Sequence, residues 1–182
     1  MKASDILRNE HRAVERVLKV LRRGADRLDA GEQVSPDVFE DSLDFLRNFA
    51  DRCHHGKEET ALFPALEKAG VPVEHGPIGV MLAEHEEGRG YIRAMADALE
   101  GYRRGDPGAR RALAENARAY ADLLAQHIQK EDNVLFHMAD RALPQAEQDR
   151  LIAQFDRIEE ERMGSGVHER YHQMLDRLDP AA

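Results

Sequence analysis

Apolar side chains recur every three or four positions through four long stretches of the chain, about residues 4–29, 36–68, 78–103 and 107–139. That spacing predicts amphipathic α-helices. No stretch sustains the alternation of a strand. Breakers fall between the stretches in four clusters: DAGEQVSPD (29–37), KAGVPVEHGP (68–77), RRGDPGA (103–109) and ADRALPQ (139–145). Each joins Gly or Pro to polar neighbours, as turns do. Pro36, Pro77 and Pro107 each fit a first helical position, with Ser35, Gly76 and Asp106 as caps. Short connections make successive helices antiparallel. The expected fold is therefore all-α: an antiparallel up-down four-helix bundle over residues 1–140. Residues 141–182 are expected as a C-terminal helical extension packed on or beside it. Leu151, Ile152, Phe155 and Ile158 keep helical spacing there, GSG (164–166) interrupts, and VHERYHQMLDRL (167–178) forms a last short helix.

Polar residues interrupt the apolar stripes at matching places. HHGKEETALF (54–63) and HIQKEDNVLF (127–136) share one frame: His, two spacers, Lys, Glu, an acid, two spacers, Leu, Phe. The two frames lie 73 positions apart. Positions i and i+4 lie on one helical face. His127 and Glu131 thus share a face with Tyr120, Leu124, Val134 and Leu135, and His54 and Glu58 share one with Leu43, Ala50 and Leu62. On the other two helices, His11 follows Glu10 and His85 follows Glu84, 74 positions apart, each on an apolar stripe. Each half of the chain thus offers one lone inward His and then an inward His-x-x-x-Glu. The halves read as an internal duplication. An ionised Glu in an apolar stripe is costly unless paired or bound to a metal. His11, His54, Glu58, His85, His127 and Glu131 together suit two metal ions, each taking two imidazoles, with the carboxylates shared or bridging. Mixed nitrogen and oxygen donors suit iron, and also manganese or zinc, whereas calcium and magnesium are poor candidates because they prefer oxygen ligands. Six ligands leave room for an oxo or hydroxo bridge and a small exogenous ligand.

Charge and composition narrow the setting. Charged residues make up 34% of the 182 and the net charge is −9, which argues against nucleic-acid binding. No apolar run approaches the length needed to cross a bilayer, and the N-terminus lacks a secretory h-region. The single cysteine, Cys53, excludes an internal disulfide. A cytoplasmic location is expected.

These motifs resemble the hemerythrin-like, or HHE cation-binding, family. The resemblance rests on EH at 10–11, HHGKEETALFP at 54–64, AEHEEGR at 83–89 and HIQKEDNVLF at 127–136. It implies a non-haem diiron centre in an antiparallel four-helix bundle. His11 resembles the first-helix ligand, His54 and Glu58 the second-helix pair, His85 the third-helix ligand, and His127 and Glu131 the fourth-helix pair. Oxygen-carrying relatives place another His one turn after the third-helix His, where this chain has Arg89. Their fourth-helix motif takes a longer step to an Asp, where this chain takes four residues to Glu131. The implied activity is binding or redox conversion of dioxygen, peroxide or nitric oxide, linked to oxidative or nitrosative stress or iron homeostasis. If the protein is an enzyme, a peroxide-consuming or oxidase activity is implied. The alternatives are an oxygen or iron sensor and a simple iron store or donor.

Other residues carry secondary expectations. His55 and Glu59 form an overlapping His-x-x-x-Glu, but the Leu-Phe alignment favours His54 and Glu58. His55 is expected to support a ligand or to lie at a helix interface. Glu15 and Arg89 each sit one turn after a lone His. An ordinary ion pair between them is the simpler reading, a Glu15 ligand or an Arg89 gate the sharper one. Tyr120 is expected in the core, within reach of a hydrogen bond into the site. Cys53 reads as a small buried hydrophobe, and Pro64 as a kink or end of the second helix. His168 and His172 form a His-x-x-x-His in the tail, read as packing or surface, with an auxiliary metal site as the alternative. His75 and His137 are expected to be exposed.

Overall fold

The computed structural model describes residues 1–164 and 166–179; the side chain of His168 lies outside the described residues. The described chain is helical, without strands. Helix α1 spans Ala3–Asp29. The second segment, α2, begins as α-helix at Pro36–Phe45, widens to π-helix at Leu46–His55 and Glu58–Leu62, and returns to α-helix at Phe63–Lys68. Helix α3 spans Pro77–Arg103. Helix α4 spans Pro107–Lys130, passes through a π-turn at Glu131–Leu135 and continues as Phe136–Ala142. Helices α5 (Gln145–Arg162) and α6 (Val167–Leu178) follow.

The local rules account for the ends. Pro36, Pro77 and Pro107 open their helices, where the missing N–H costs nothing. The Ser35 hydroxyl accepts from the Asp37 N–H, and the Asp106 carboxylate from the Gly108 N–H. Gly105, at φ +78°, takes the left-handed position that ends α3.

Two expectations need correction. Pro64, read as a kink or an end of the second helix, does not end it, since the helix continues to Lys68. The π-turn before it bonds the Phe63 N–H to the Glu58 carbonyl, five residues back. That wider turn relieves the clash a proline makes with the preceding α-turn. Val134, expected on the buried stripe of α4, is 53% exposed. It sits inside the second π-turn, where the Phe136 N–H bonds the Glu131 carbonyl. The extra residue in the turn rotates it off the 3.6-residue wheel.

Side-chain contacts give the packing directions. Arg22 meets Asp122, and Arg118 meets Asp26 and Asp29, so α1 and α4 run antiparallel. Arg103 meets Glu40 while Arg89 meets Glu59, so α2 and α3 run antiparallel. Helix α3 packs on α4 near the loop that joins them, with Gly101 against Ala109, and again at mid-helix, with Gly88 against Tyr120. A Cβ on Gly101 would lie 2.6 Å from the Ala109 Cβ, which is fixed to its own backbone. Gly→Ala inside a helix ordinarily gains up to about 1 kcal/mol. Here Gly101→Ala forces the helices apart and is expected to cost about 1–3 kcal/mol instead, read as a lowered midpoint in denaturant unfolding.

The buried apolar residues form two layers. One holds Val14, Leu18, Phe49, Ile92 and Leu124; the other holds Leu7, Leu62, Phe63, Met81 and Phe136. Helices α5 and α6 complete them: Leu151 and Phe155 join the second layer, and Tyr171, Met174 and Leu175 the first. The inward histidines and glutamates lie between the layers on all four long segments. No described helix is long and apolar enough to cross a membrane.

Candidate metal centre

The polar layer brings together all six residues that the sequence singled out. His11, His54, His85 and His127 are each 1–2% exposed, and Glu58 and Glu131 are fully buried. Their donor atoms form two groups in which every atom lies within 4.8 Å of the others. One group is His11, His54, Glu58 and Glu131; the other is His55, Glu58, His85 and His127. Glu58 belongs to both. Its Oε1 lies 3.4 Å from His54 Nε2 and its Oε2 lies 3.5 Å from His85 Nε2. Glu131 spans similarly, with Oε2 at 3.2 Å from His11 Nε2 and 3.3 Å from His127 Nε2. Each carboxylate therefore reaches a histidine of each group.

The outer nitrogens of these four rings share one arrangement. His11 Nδ1 meets Asp132 at 2.8 Å, His54 Nδ1 meets Glu10 at 2.8 Å, His85 Nδ1 meets Glu59 at 2.7 Å, and His127 Nδ1 meets Glu84 at 2.9 Å. A carboxylate on Nδ1 fixes ring orientation and leaves Nε2 to point inward. Each of these carboxylates is in turn held by a cation: Asp132 by Arg12, Glu10 by Lys57, Glu59 by Arg89 and Glu84 by Lys130. The repeated frame is thus explained residue by residue. Its His and Glu face the centre, its acid braces the lone His of another helix, and its Lys holds the glutamate that braces its own His. Glu10, Glu84, Asp132, Lys57 and Lys130 had no role in the sequence reading. Their signal was present in the duplicated Glu-His pairs and in the Lys and acid of the frame.

Charge at the centre is tightly coupled. Burial disfavours the charged form of His54, yet Glu58 and Glu10 outweigh it and push the ring up to about 10. Burial acts the same way at His127, where Glu131 and Glu84 push it up to about 10. Burial and the Glu131 charge push Glu58 up, but His54 and His85 prevail and hold it at about 2. Burial is likewise overcome at Glu131, which His127 and His11 hold well below the usual carboxylate range. Burial and the neighbouring imidazole His85 push His55 well below its ordinary value.

These residues fit a cation. Both oxygens of Glu58, both of Glu131 and Nε2 of His11 are buried with no hydrogen-bond partner, since the close imidazoles lie off hydrogen-bond geometry. Unsatisfied buried carboxylate oxygens are costly. Converging on imidazole nitrogens between two dry layers, they supply the donor set a metal ion requires.

The remaining expectations sort as follows. His55, expected to support a ligand or fill an interface, is 5% exposed and stands within the second donor group. Glu15 pairs with Arg12 at 3.0 Å, and Arg89 binds Asp51, Glu59 and Glu86, so the Glu15–Arg89 pair does not form. Residue 12, not residue 89, lies within reach of Glu15 because the two share a helix face. Tyr120 is 1% exposed, and burial pushes its phenol up, with the Asp51 carboxylate adding to it. Cys53 is buried, and burial pushes its thiol up to about 11, an unreactive state. His75 and His137 are exposed. His172 lines a cavity of about 210 Å³ with Ile6, Glu10, Phe49 and Glu159 and joins neither donor group. The alternative of an auxiliary metal site with His168 falls on a side chain outside the described residues.

The family model of the hemerythrin HHE cation binding domain matches residues 2–139. An uncharacterized protein of Mycobacterium tuberculosis, in two strains, and one of Mycobacterium bovis are each 31% identical over 134 residues. The match covers 74% of this chain and 52% of theirs, so the chain spans about half the length of the curated relatives it matches. No solved structure matches.

Proposed function

Since the chain belongs to the hemerythrin HHE cation-binding family, we propose that its six converging side chains hold two iron ions in an antiparallel up-down four-helix bundle. The observation that carries this is the set of four buried carboxylate oxygens on Glu58 and Glu131 that lack a hydrogen bond and face imidazole nitrogens on both sides. His11 and His54 serve one ion, His85 and His127 the other, and the two glutamates are shared. Manganese or zinc suits the donors less well as a redox pair.

A bound iron pair supplies redox chemistry toward dioxygen, peroxide or nitric oxide. The chain itself does the rest. Its Nδ1 carboxylates keep the rings aimed and its two apolar layers exclude water. A sensor is the second reading, favoured by one contact. Lys57 joins Glu10, the brace of His54, to Glu159 on α5 at 2.8 Å, so the tail is wired to a metal-facing ring. An exchangeable iron store fits less well, because all six side chains are buried.

Metal uptake has a proton signature. Ligands must shed their protons, and at pH 7 His54 and His127 carry them in the metal-free protein. Uptake at pH 7 is expected to release at least two protons per chain, measured by calorimetry in buffers of different ionisation enthalpy. The sign for metal-free stability follows. Raised histidines contribute fully below their ordinary 6.5, and that contribution is lost as pH rises through about 10. Depressed Glu58 contributes above its ordinary 4.5, and this is lost as pH falls through about 2. Metal-free protein that gains stability between pH 7 and 10 contradicts this.

The function is tested by purifying the protein aerobically, quantifying metals, and recording the optical spectrum before and after peroxide, dioxygen and nitric oxide. Two irons with the near-ultraviolet absorption of a coupled ferric pair support the proposal. Oxygen evolved from peroxide over many turnovers marks an enzyme, and a stable adduct without turnover marks a sensor. Protein without iron that cannot be loaded with it refutes the reading.

A further inference from the structure

Around the polar layer, three touching residues have no counterpart of their own kind in the other half. At the offset of 73 that relates the frames, Asp51 answers Leu124 and His55 answers Ile128. At the offset of 74 that relates the lone histidines, Arg89 answers Glu15. Leu124 and Ile128 are ordinary buried core residues. Asp51, His55 and Arg89 instead form a chain of contacts: His55 Nδ1 lies 3.3 Å from Asp51 Oδ1, and Arg89 Nε donates to the same oxygen at 2.8 Å. That is the arrangement found at His11, His54, His85 and His127: a carboxylate on Nδ1, and a cation on the carboxylate.

His55 also stands where a ligand should. Its ring stacks on that of His85, with centroids 3.8 Å apart and planes 13° from parallel. It lies edge-on to His127 at 5.8 Å. One of its nitrogens falls within 4.8 Å of donor atoms from Glu58, His85 and His127. Apolar packing alone does not call for an imidazole here, since the other half fills the equivalent place with Ile128. A buried imidazole in place of an isoleucine is a cost unless its polar atoms find partners.

We propose that His55 is a seventh metal ligand, which gives the ion at His85 and His127 a third imidazole and makes the two ion sites unequal. Asp51 and Arg89 are its positioning residues. The His85 side then offers three nitrogens and the His11 side two, with Glu58 and Glu131 reaching a histidine of each. The sequence wheel hides this, because at 100° per residue His54 and His55 cannot both face inward. The wider turns of the π-helix at Leu46–His55 narrow the angle between them.

The proposal rests on the two-ion reading, and one experiment separates them. Metal-free wild type, H55I and H55Q are titrated anaerobically with cobalt(II), followed by calorimetry and visible absorption. Circular dichroism melts report whether each variant folds. H55I borrows the residue of the other half, and H55Q keeps a polar side chain should isoleucine prevent folding. Wild type is expected to take two ions in two distinguishable steps. In a folded variant one step is expected to weaken at least about tenfold and lose its share of the visible bands, while the other stays within about twofold. Two unchanged steps make His55 a stacking partner of His85 only and overturn the proposal. Equal weakening of both steps, or loss of folding in both variants, makes its role structural and overturns it as well. Fewer than two ions on wild type overturns the two-ion reading itself.

Discussion

Glu58→Ala is expected to strip both metal ions, whereas His11→Ala weakens mainly one. Glu58 is the one residue common to both donor groups, and its two oxygens face His54 on one side and His85 on the other. Its loss removes an anionic donor from each ion at once. Metal-free stability should fall as well, because His54 and His85 hold the Glu58 carboxylate charged and lose that partner. The metal-dependent part is read separately, as the difference between melts with and without metal. A ligand present at a thousand times its dissociation constant stabilises the folded state by about 4 kcal/mol. Thermal melts with and without added iron(II) should separate widely for wild type and coincide for Glu58→Ala. A variant that still binds two ions would show that the carboxylate is not shared.

Lys57→Met is expected to be the most destabilising single change outside the centre. The Lys57 side chain is fully buried and its ammonium meets Glu10 and Glu159. Without it, Glu10, itself 6% exposed, is left as a buried charge held only by His54. Removing one partner of a buried ion pair costs about 3–5 kcal/mol. In a chain of this size that lowers the melting temperature on the order of 10 °C. Lys130 holds the same place in the second frame and pairs with Glu84, but it is 45% exposed. Lys130→Met should therefore cost roughly 0–1 kcal/mol. Similar losses from the two variants would mean that burial does not set the strength of the network.

Much of this was legible in the chain. The three proline starts, the four turn clusters and the inward faces of His11, His85 and His127 follow from periodicity and local chemistry. Their register held because α1, α3 and the first part of α4 are regular α-helix. The reading failed where the helix changed pitch. Val134 lies in a π-turn, and a fixed 3.6-residue wheel misplaces it; Pro64 follows one, which lets the helix run on past it. The Nδ1 carboxylates were missed for a different reason. Each one braces a ring on another helix, as Asp132 does for His11, and such pairings depend on how helices meet. The duplicated frame recorded them only as unexplained constancy in its Lys and acid.

The central claim is that two metal ions sit between the carboxylates of Glu58 and Glu131. Anomalous diffraction at the iron edge from crystals of iron-loaded protein tests it most directly. Two peaks are predicted, one beside His11 and His54 and the other beside His85 and His127, with both glutamates between them. A single peak, or peaks away from these side chains, would contradict it.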